Sequence, residues 1–208
     1  MNNLHQLLYL QEVQSQCRMV GQAHVGLSRA LADSTPWQTV EEGAMHTAEI
    51  FRNVHSMLTH TSNISRLLWP GDKVKPSRKQ RAQELRALIA VPDENHILSD
   101  RSLRDHLEHF DERLDAWVAR SGANPDFWQD FIGSWEVIAN YKAMDENVMR
   151  HFDPCTKTFR FQGYPWDVAE MIDAVQELRR RVDAKVVELM SLLYPPHDPP
   201  AYGKIFEG

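Results

Sequence analysis

Arg104 and His109 stand five positions apart in the run Leu103-Arg104-Asp105-His106-Leu107-Glu108-His109-Phe110. A guanidinium can grip a phosphate through two parallel N–H donors, and an imidazole moves a proton near neutral pH. Held near one another, they form a minimal kit for cleaving RNA. Asp105, four residues ahead of His109, lies on nearly the same side of a helix and can orient the imidazole or raise its basicity. On an ideal helix Arg104 and His109 point roughly 140° apart, at about 100° per residue. They share one phosphate only if the helix is distorted there, or if a second subunit supplies the opposite wall. The plain alternative is a charged helix face that carries two histidines.

At these positions the chain resembles the HEPN (higher eukaryote and prokaryote nucleotide-binding) superfamily. Its signature is Arg, a polar residue, three further residues and His, on a late helix of an α-helical bundle. Arg104-Asp105-His106-Leu107-Glu108-His109 fits that pattern, and Arg101 to His106 fits the spacing in a second register with Ser102 as the follower. The resemblance covers these six residues and the general pattern of two long leading helices. It implies a metal-independent endoribonuclease that uses no cofactor and works as a homodimer with two motifs meeting in one cleft. It gives phosphate stabilisation to Arg104, proton transfer to His109 and orientation to Asp105. RNA, an antitoxin or another protein are the partners it leaves open. The sequence departs from the minimal family domain by a β-like stretch near Thr156 to Gly163. The motif helix also carries Asp100, Asp105, Glu108, Asp111, Glu112 and Asp115 against Arg101, Arg104, Arg113 and Arg120. That surplus of acid repels phosphate unless cations converge from elsewhere.

The best electrostatic handle for RNA is the stretch from Arg66 to Arg86. Arg66, Lys73, Lys75, Arg78, Lys79, Arg81 and Arg86 face only Asp72 and Glu84, a local excess of five positive charges. Lys73, Lys75, Arg78, Lys79 and Arg81 are the candidate RNA-binding residues, with a solvated loop and helix start as the alternative. Arg179-Arg180-Arg181 and Lys185 read as a solvated face. Ten histidines invite a metal reading. Yet the chain has no His-Glu-x-x-His and no doubled Glu-x-x-His of the kind helical metal bundles use. His24 and His55 fall in or beside helical stripes, where packed, hydrogen-bonded histidines are the rule. Cys17 sits in a stripe and reads as a small buried hydrophobe. Three readings stay open: a ribonuclease, a catalytically silent helical partner-binding protein, and a histidine-rich metal-binding bundle.

The whole chain constrains these. Its 208 residues suit one sizeable core, read as a single helical domain over 1–194 with a Pro-rich tail over 195–208. Net charge is −6, so a nucleic-acid contact needs a local positive patch. Cys17 and Cys155 are far apart, which suits a reducing compartment. No apolar run approaches membrane-spanning length, and Met1-Asn2-Asn3-Leu4 lacks the basic start of a secretion signal, so a soluble cytoplasmic protein is expected. Glycine-rich phosphate loops, nucleophile elbows and Cys-x-x-Cys pairs are missing from the sequence.

The elements that must position the motif are mainly helices. Leu10, Val13, Cys17, Val20, His24, Leu27 and Leu31 recur at spacings of three and four, the stripe of a long amphipathic helix. Asp33-Ser34-Thr35-Pro36 breaks it, with Thr35 as the expected N-cap of a second helix through Trp37, Val40, Ala44, Ala48, Phe51, Val54 and Leu58 to about Leu68. The pair forms an αα-hairpin. A third helix is expected from about Arg78 to Ala90. A fourth runs from Ser99 or Asp100 to about Arg120, with Leu103, Leu107, Phe110, Leu114, Trp117 and Val118 as its apolar stripe. A helix from Ser134 to about Asp145 follows. Residues 148–164 read as a small β-hairpin. A last helix carries Val168, Met171, Val175, Leu178, Val182, Val186, Leu189 and Leu193, and stops at Pro195-Pro196. The fold class is mainly α, an antiparallel helical bundle with that hairpin. Trp128 and Trp135 are expected at the surface, as part of a dimer face.

Overall fold

The structure, a computed structural model, describes residues 1–92, 95–100, 102, 109–122, 126–140 and 145–195. The fold is mainly α with one small sheet. Helix α1 (Asn3–Ala32) opens with the Asn2 side chain accepting from the His5 N–H, and buries Leu7, Leu10, Val13, Cys17, Val20, Ala23, Leu27 and Ala30. The stripe follows the 3.6-residue period, so its last member is Ala30; Leu31 falls to the solvent side and His24 is half-buried. The connection to α2 (Val40–Leu68) is longer than expected. Asp33 Oδ1 accepts from the Thr35 N–H at 3.0 Å, which holds this segment in a turn instead of a helix start. The cap is Thr39, in a reciprocal box with Glu42. Accordingly Trp37, Val40, Ala44 and Ala48 are exposed, and the buried face of α2 begins at Ile50 and Phe51.

Helix α1 packs along α2 on one side and along the final helix on the other. Gln16 Oε1 meets His60 Nδ1 at 2.8 Å on the first side, and Gln14 Nε2 donates to Asp183 Oδ1 at 2.7 Å on the second. Both pairings are antiparallel in sense. For α1 and α2 the short connection requires it; for α1 and the final helix, Gln14 lies by Asp183 while the later turns of α1 border Ile172 and Val175. Helix α3 (Pro76–Leu88) starts two residues before the expected Arg78, because Pro76 serves as its first residue with φ already set.

The expected helix from Ser99 to Arg120 is not continuous. Ile97–Ser99 is a short 3₁₀ turn, and α4 (Phe110–Ser121) begins afresh after His109, whose φ of −112° and ψ of 36° are not helical. Of its expected stripe Trp117 is buried, Leu114 is half-buried, and Phe110 and Val118 are exposed. Leu103 and Leu107 lie outside the described residues. The hairpin expected over 148–164 is the centre of a larger sheet. Strands β1 (Trp128–Ile132), β2 (Val148–Asp153), β3 (Thr158–Phe161) and β4 (Tyr164–Asp167) run in that spatial order. β1 and β2 are parallel, with Asp130 opposite Arg150; the other two pairs are antiparallel. Arg150 clasps Asp130 through two hydrogen bonds of 2.6 and 2.8 Å. Helix α5 (Trp135–Asn140) lies in the β1–β2 crossover, and residues 141–144 of the expected helix lie outside the described residues. Helix α6 (Val168–Leu193), capped by Asp167, ends the described fold with the expected apolar stripe buried as far as Leu189. No helix among the described residues is long and apolar enough to cross a membrane.

Among the described residues the core has two parts. The larger one joins α1, α2 and α6 to one face of the sheet through Phe152, Phe159 and Phe161. The smaller one contains Ile138 and Val148, with Trp128, Phe131 and Trp135 packed against them. Trp128 and Trp135 are therefore half-buried within one subunit, not surface aromatics, because the crossover folds α5 back over β2.

Three histidines are kept below the ordinary imidazole range, in each case chiefly by burial. His55 packs edge-on to Phe159 and also feels Arg150; His96 stacks on Trp69 and also feels Arg181; His60 meets Gln16. As pH falls, the unfolded chain binds protons first. The stability these groups contribute is therefore full above about pH 6.5 and is lost as pH falls through their lowered values. Melting temperature is expected to drop between about pH 7.5 and pH 5, and His55→Gln should flatten that slope. An equal slope in the variant would show that His55 does not contribute to it.

Candidate functional site

The stretch that carries the motif is bounded by two anchors on one side of the sheet. At its start, the Ser102 hydroxyl lies 2.9 Å from Asp100 Oδ2, and Trp166 Nε1 of β4 donates to Ser102 Oγ at 3.3 Å. At its end, Phe110 packs on Phe161 of β3, and Gln162 Nε2 in the β3–β4 turn donates to the Arg113 carbonyl at 3.0 Å. Arg104, Asp105 and His106 fall between these anchors in sequence and Arg101 directly precedes the first; all four lie outside the described residues. His109 is the described member of the motif. It occupies the N-cap of α4, its side chain is 55% exposed, and Nδ1 stands 3.5 Å from Glu112 Oε2. An imidazole so placed is open to a ligand on its other edge. One turn further on, Arg113 is half-buried, with Nε lacking a hydrogen-bond partner among the described residues. Arg113 falls outside the motif. Its signal in the sequence is the His109-x-x-x-Arg113 spacing, which puts both side chains on one helix face.

Beside the Ser102 anchor lies a small cavity of about 180 Å³, bordered by Asp100, Trp166 and Glu170. Thr61, Ser62 and Ser65 of α2 turn buried hydroxyls to it, and those oxygens have no hydrogen-bond partner among the described residues.

The basic stretch divides into two kinds of residue. Lys73, Lys75, Arg78 and Lys79 are exposed. Arg81 and Arg86 turn inward to the C-terminal end of α2. Arg81 Nη2 donates to the Leu67 carbonyl at 3.3 Å with its guanidinium over the Tyr9 ring, and Arg86 Nη1 donates to the Leu68 carbonyl. They satisfy orphan carbonyls and complement the negative helix end, so four cations of the five proposed for RNA face solvent. Arg81→Met is expected to lower unfolding free energy by about 1 kcal/mol in chemical denaturation. Lys79→Met should shift it by less than half as much, and equal losses would mean Arg81 does not cap α2.

A second cationic place, unmarked by any motif, is a groove of about 1020 Å³ running along α1 between α2 and α6. Arg18, Arg29, Arg52 and Arg179 border it together with His24 and His60, and no acidic residue among those described lines it. Arg52 is forked to Glu49, which holds that carboxyl below its ordinary range, and Arg179 lies 3.4 Å from Asp183. Arg18 and Arg29 make no ion pair or hydrogen bond through their side chains among the described residues. The groove is deepened by glycine. A Cβ on Gly21 would meet nothing within 4 Å, whereas one on Gly26 would lie 2.3 Å from Asn53 Oδ1, so α1 and α2 approach closely there. These residues come from three helices far apart in sequence. In the sequence the one signal of a recess is Gly21 and Gly26 inside a single helix.

Cys17 is buried and its thiol is pushed up to about 12 by that burial, in keeping with a packing role. Among the described residues no three His, Cys, Asp or Glu side chains gather into a set that could hold a metal ion. Comparison with protein-family models, with characterised proteins and with solved structures finds no match.

Proposed function

We propose that the protein is an HEPN-like endoribonuclease that cleaves RNA by attack of the ribose 2′-hydroxyl on the adjacent phosphorus. The observation that carries this reading is His109, exposed at the start of α4 and steadied by Glu112, at the end of a segment tied to the sheet at both sides. His109 takes the proton from the 2′-hydroxyl or delivers one to the leaving 5′-oxygen. Arg104 holds the non-bridging oxygens in a forked grip, and Asp105 orients the imidazole. The bond formed is O2′–P and the bond broken is P–O5′, which leaves a cyclic phosphate and a 5′-hydroxyl. Ribose supplies the nucleophile, so the step requires no metal. A homodimer would bring a second Arg104 and His109 to the same cleft. Arg113, on the His109 face, is a further cation for the phosphate.

The experiment is purified protein on single-stranded RNA, with and without chelator, with product ends analysed. A second reading, a silent partner-binding protein, is favoured by the carboxylates Asp111 and Glu112 in the first turn of α4 and by the exposed Phe110 and Val118 on the same helix. Wild-type protein that leaves varied RNAs intact would select that reading.

A further inference from the structure

The geometry points to the α1 groove as a binding path for single-stranded RNA, with phosphates on Arg18 and Arg29 and a base stacked on Trp37. Arg18 and Arg29 are eleven residues apart, so they project from one side of α1 about 16 Å from each other. That span suits two phosphates a few nucleotides apart on an extended strand and is too long for a single small anion. The groove adjoins a second recess of about 870 Å³, which shares Gly26, Arg29 and Arg52 with it and is bordered by Trp37. Trp37 is 60% exposed, an unusual state for an indole. It is nevertheless braced: one side lies against His46, with ring centroids 5.5 Å apart, and a Cβ on Gly43 would lie 3.0 Å from the ring. A rigid, open indole at the end of a cationic groove is the arrangement that holds unpaired bases by stacking and their backbone by charge.

The charges divide the path. The recess beside Trp37 contains Asp33, Glu42 and Glu49, each already bonded to Thr35, to the α2 cap or to Arg52. Their field disfavours phosphate there and leaves the apolar indole face as the useful surface. The acid-free half, with Arg18 and Arg29 unpaired, takes the backbone. A duplex fits this division poorly, because its bases are not free to stack on a side chain.

The inference rests on the ribonuclease reading only in the choice of RNA as the strand, and binding is read apart from cleavage. The test is fluorescence anisotropy of a labelled twelve-nucleotide oligo(A) RNA with the full chain carrying His109→Ala, across salt concentrations. Binding should weaken with salt, and Arg18→Ala with Arg29→Ala should reduce the log–log salt slope by about 0.7 for each phosphate no longer neutralised. Trp37→Ala should weaken the RNA about tenfold, in line with the loss of one stacked base. The same substitution should leave inorganic polyphosphate binding unchanged. All three side chains are solvent-facing, and unchanged melting curves would show the variants fold. Absence of RNA binding at low salt, an unchanged slope in the arginine variant, or equal loss of RNA and polyphosphate in Trp37→Ala would overturn the proposal. Binding without any cleavage by wild type would leave this path standing and remove the ribonuclease reading.

Discussion

His109→Ala is expected to slow cleavage of single-stranded RNA by roughly two to four orders of magnitude, the usual contribution of a positioned proton-transfer group. The side chain is more than half exposed, so its removal should leave the melting curve in place. The loss would then report chemistry and not unfolding. Arg104→Lys should fail as well, since a point charge cannot reproduce two parallel donors on one phosphate. Wild-type cleavage should survive chelator, yield a cyclic phosphate end and spare DNA, which lacks the 2′-hydroxyl. Arg113→Met separates the two guanidinia: a loss smaller than that of Arg104→Lys would assign Arg113 an auxiliary hold on phosphate. Cleavage that persists in His109→Ala would place the activity elsewhere or in a contaminant.

The long helices were legible because burial repeats with their period. The α6 stripe from Val168 to Leu189 and the α1 stripe from Leu10 to Leu27 needed only that count. Their ends were harder, since they depend on competing local hydrogen bonds. Asp33 and Thr35 look like a helix start, yet the Asp33 carboxylate is drawn to the Thr35 amide, and Thr39 with Glu42 makes the better cap. The strand β1 gave no signal because a parallel partner lies beyond a crossover, and because Trp128, Phe131 and Ile132 do not alternate cleanly with polar residues. The start of α4 after His109 was likewise hidden, since nothing in Glu108-His109-Phe110 stops a helix by propensity; in the structure Phe161 and Gln162 of the sheet hold the first turn of α4. The motif could be read from spacing alone. The arginine groove could not, because Arg18, Arg52 and Arg179 are neighbours only after three helices have packed.

Phe159→Ala is expected to cost about 3–5 kcal/mol, the range for a fully enclosed phenylalanine, and hence a large share of the stability of a domain of this kind. Phe159 is 2% exposed and is the point at which the sheet meets the helices. Its ring lies edge-on to Phe51 and to His55 of α2 and stacks on Trp166 of β4, with centroids 5.9 to 6.5 Å away. Loss of that ring leaves a cavity with α2 on one wall and β4 on the other, which two independently rigid layers cannot close. The α1–α2–α6 packing does not depend on it, so helical circular dichroism should outlast the near-ultraviolet signal of the sheet tryptophans during denaturation. A single coincident transition of unchanged midpoint would show that the sheet is held by other residues. Two further effects follow from the same junction. His55 would gain water and move back toward the ordinary imidazole range, which should flatten the acid limb of the stability profile. The anchors of the motif segment, Trp166 and the Phe161–Gln162 turn, would lose their footing on α2, so RNA cleavage should fall at temperatures well below the melting point.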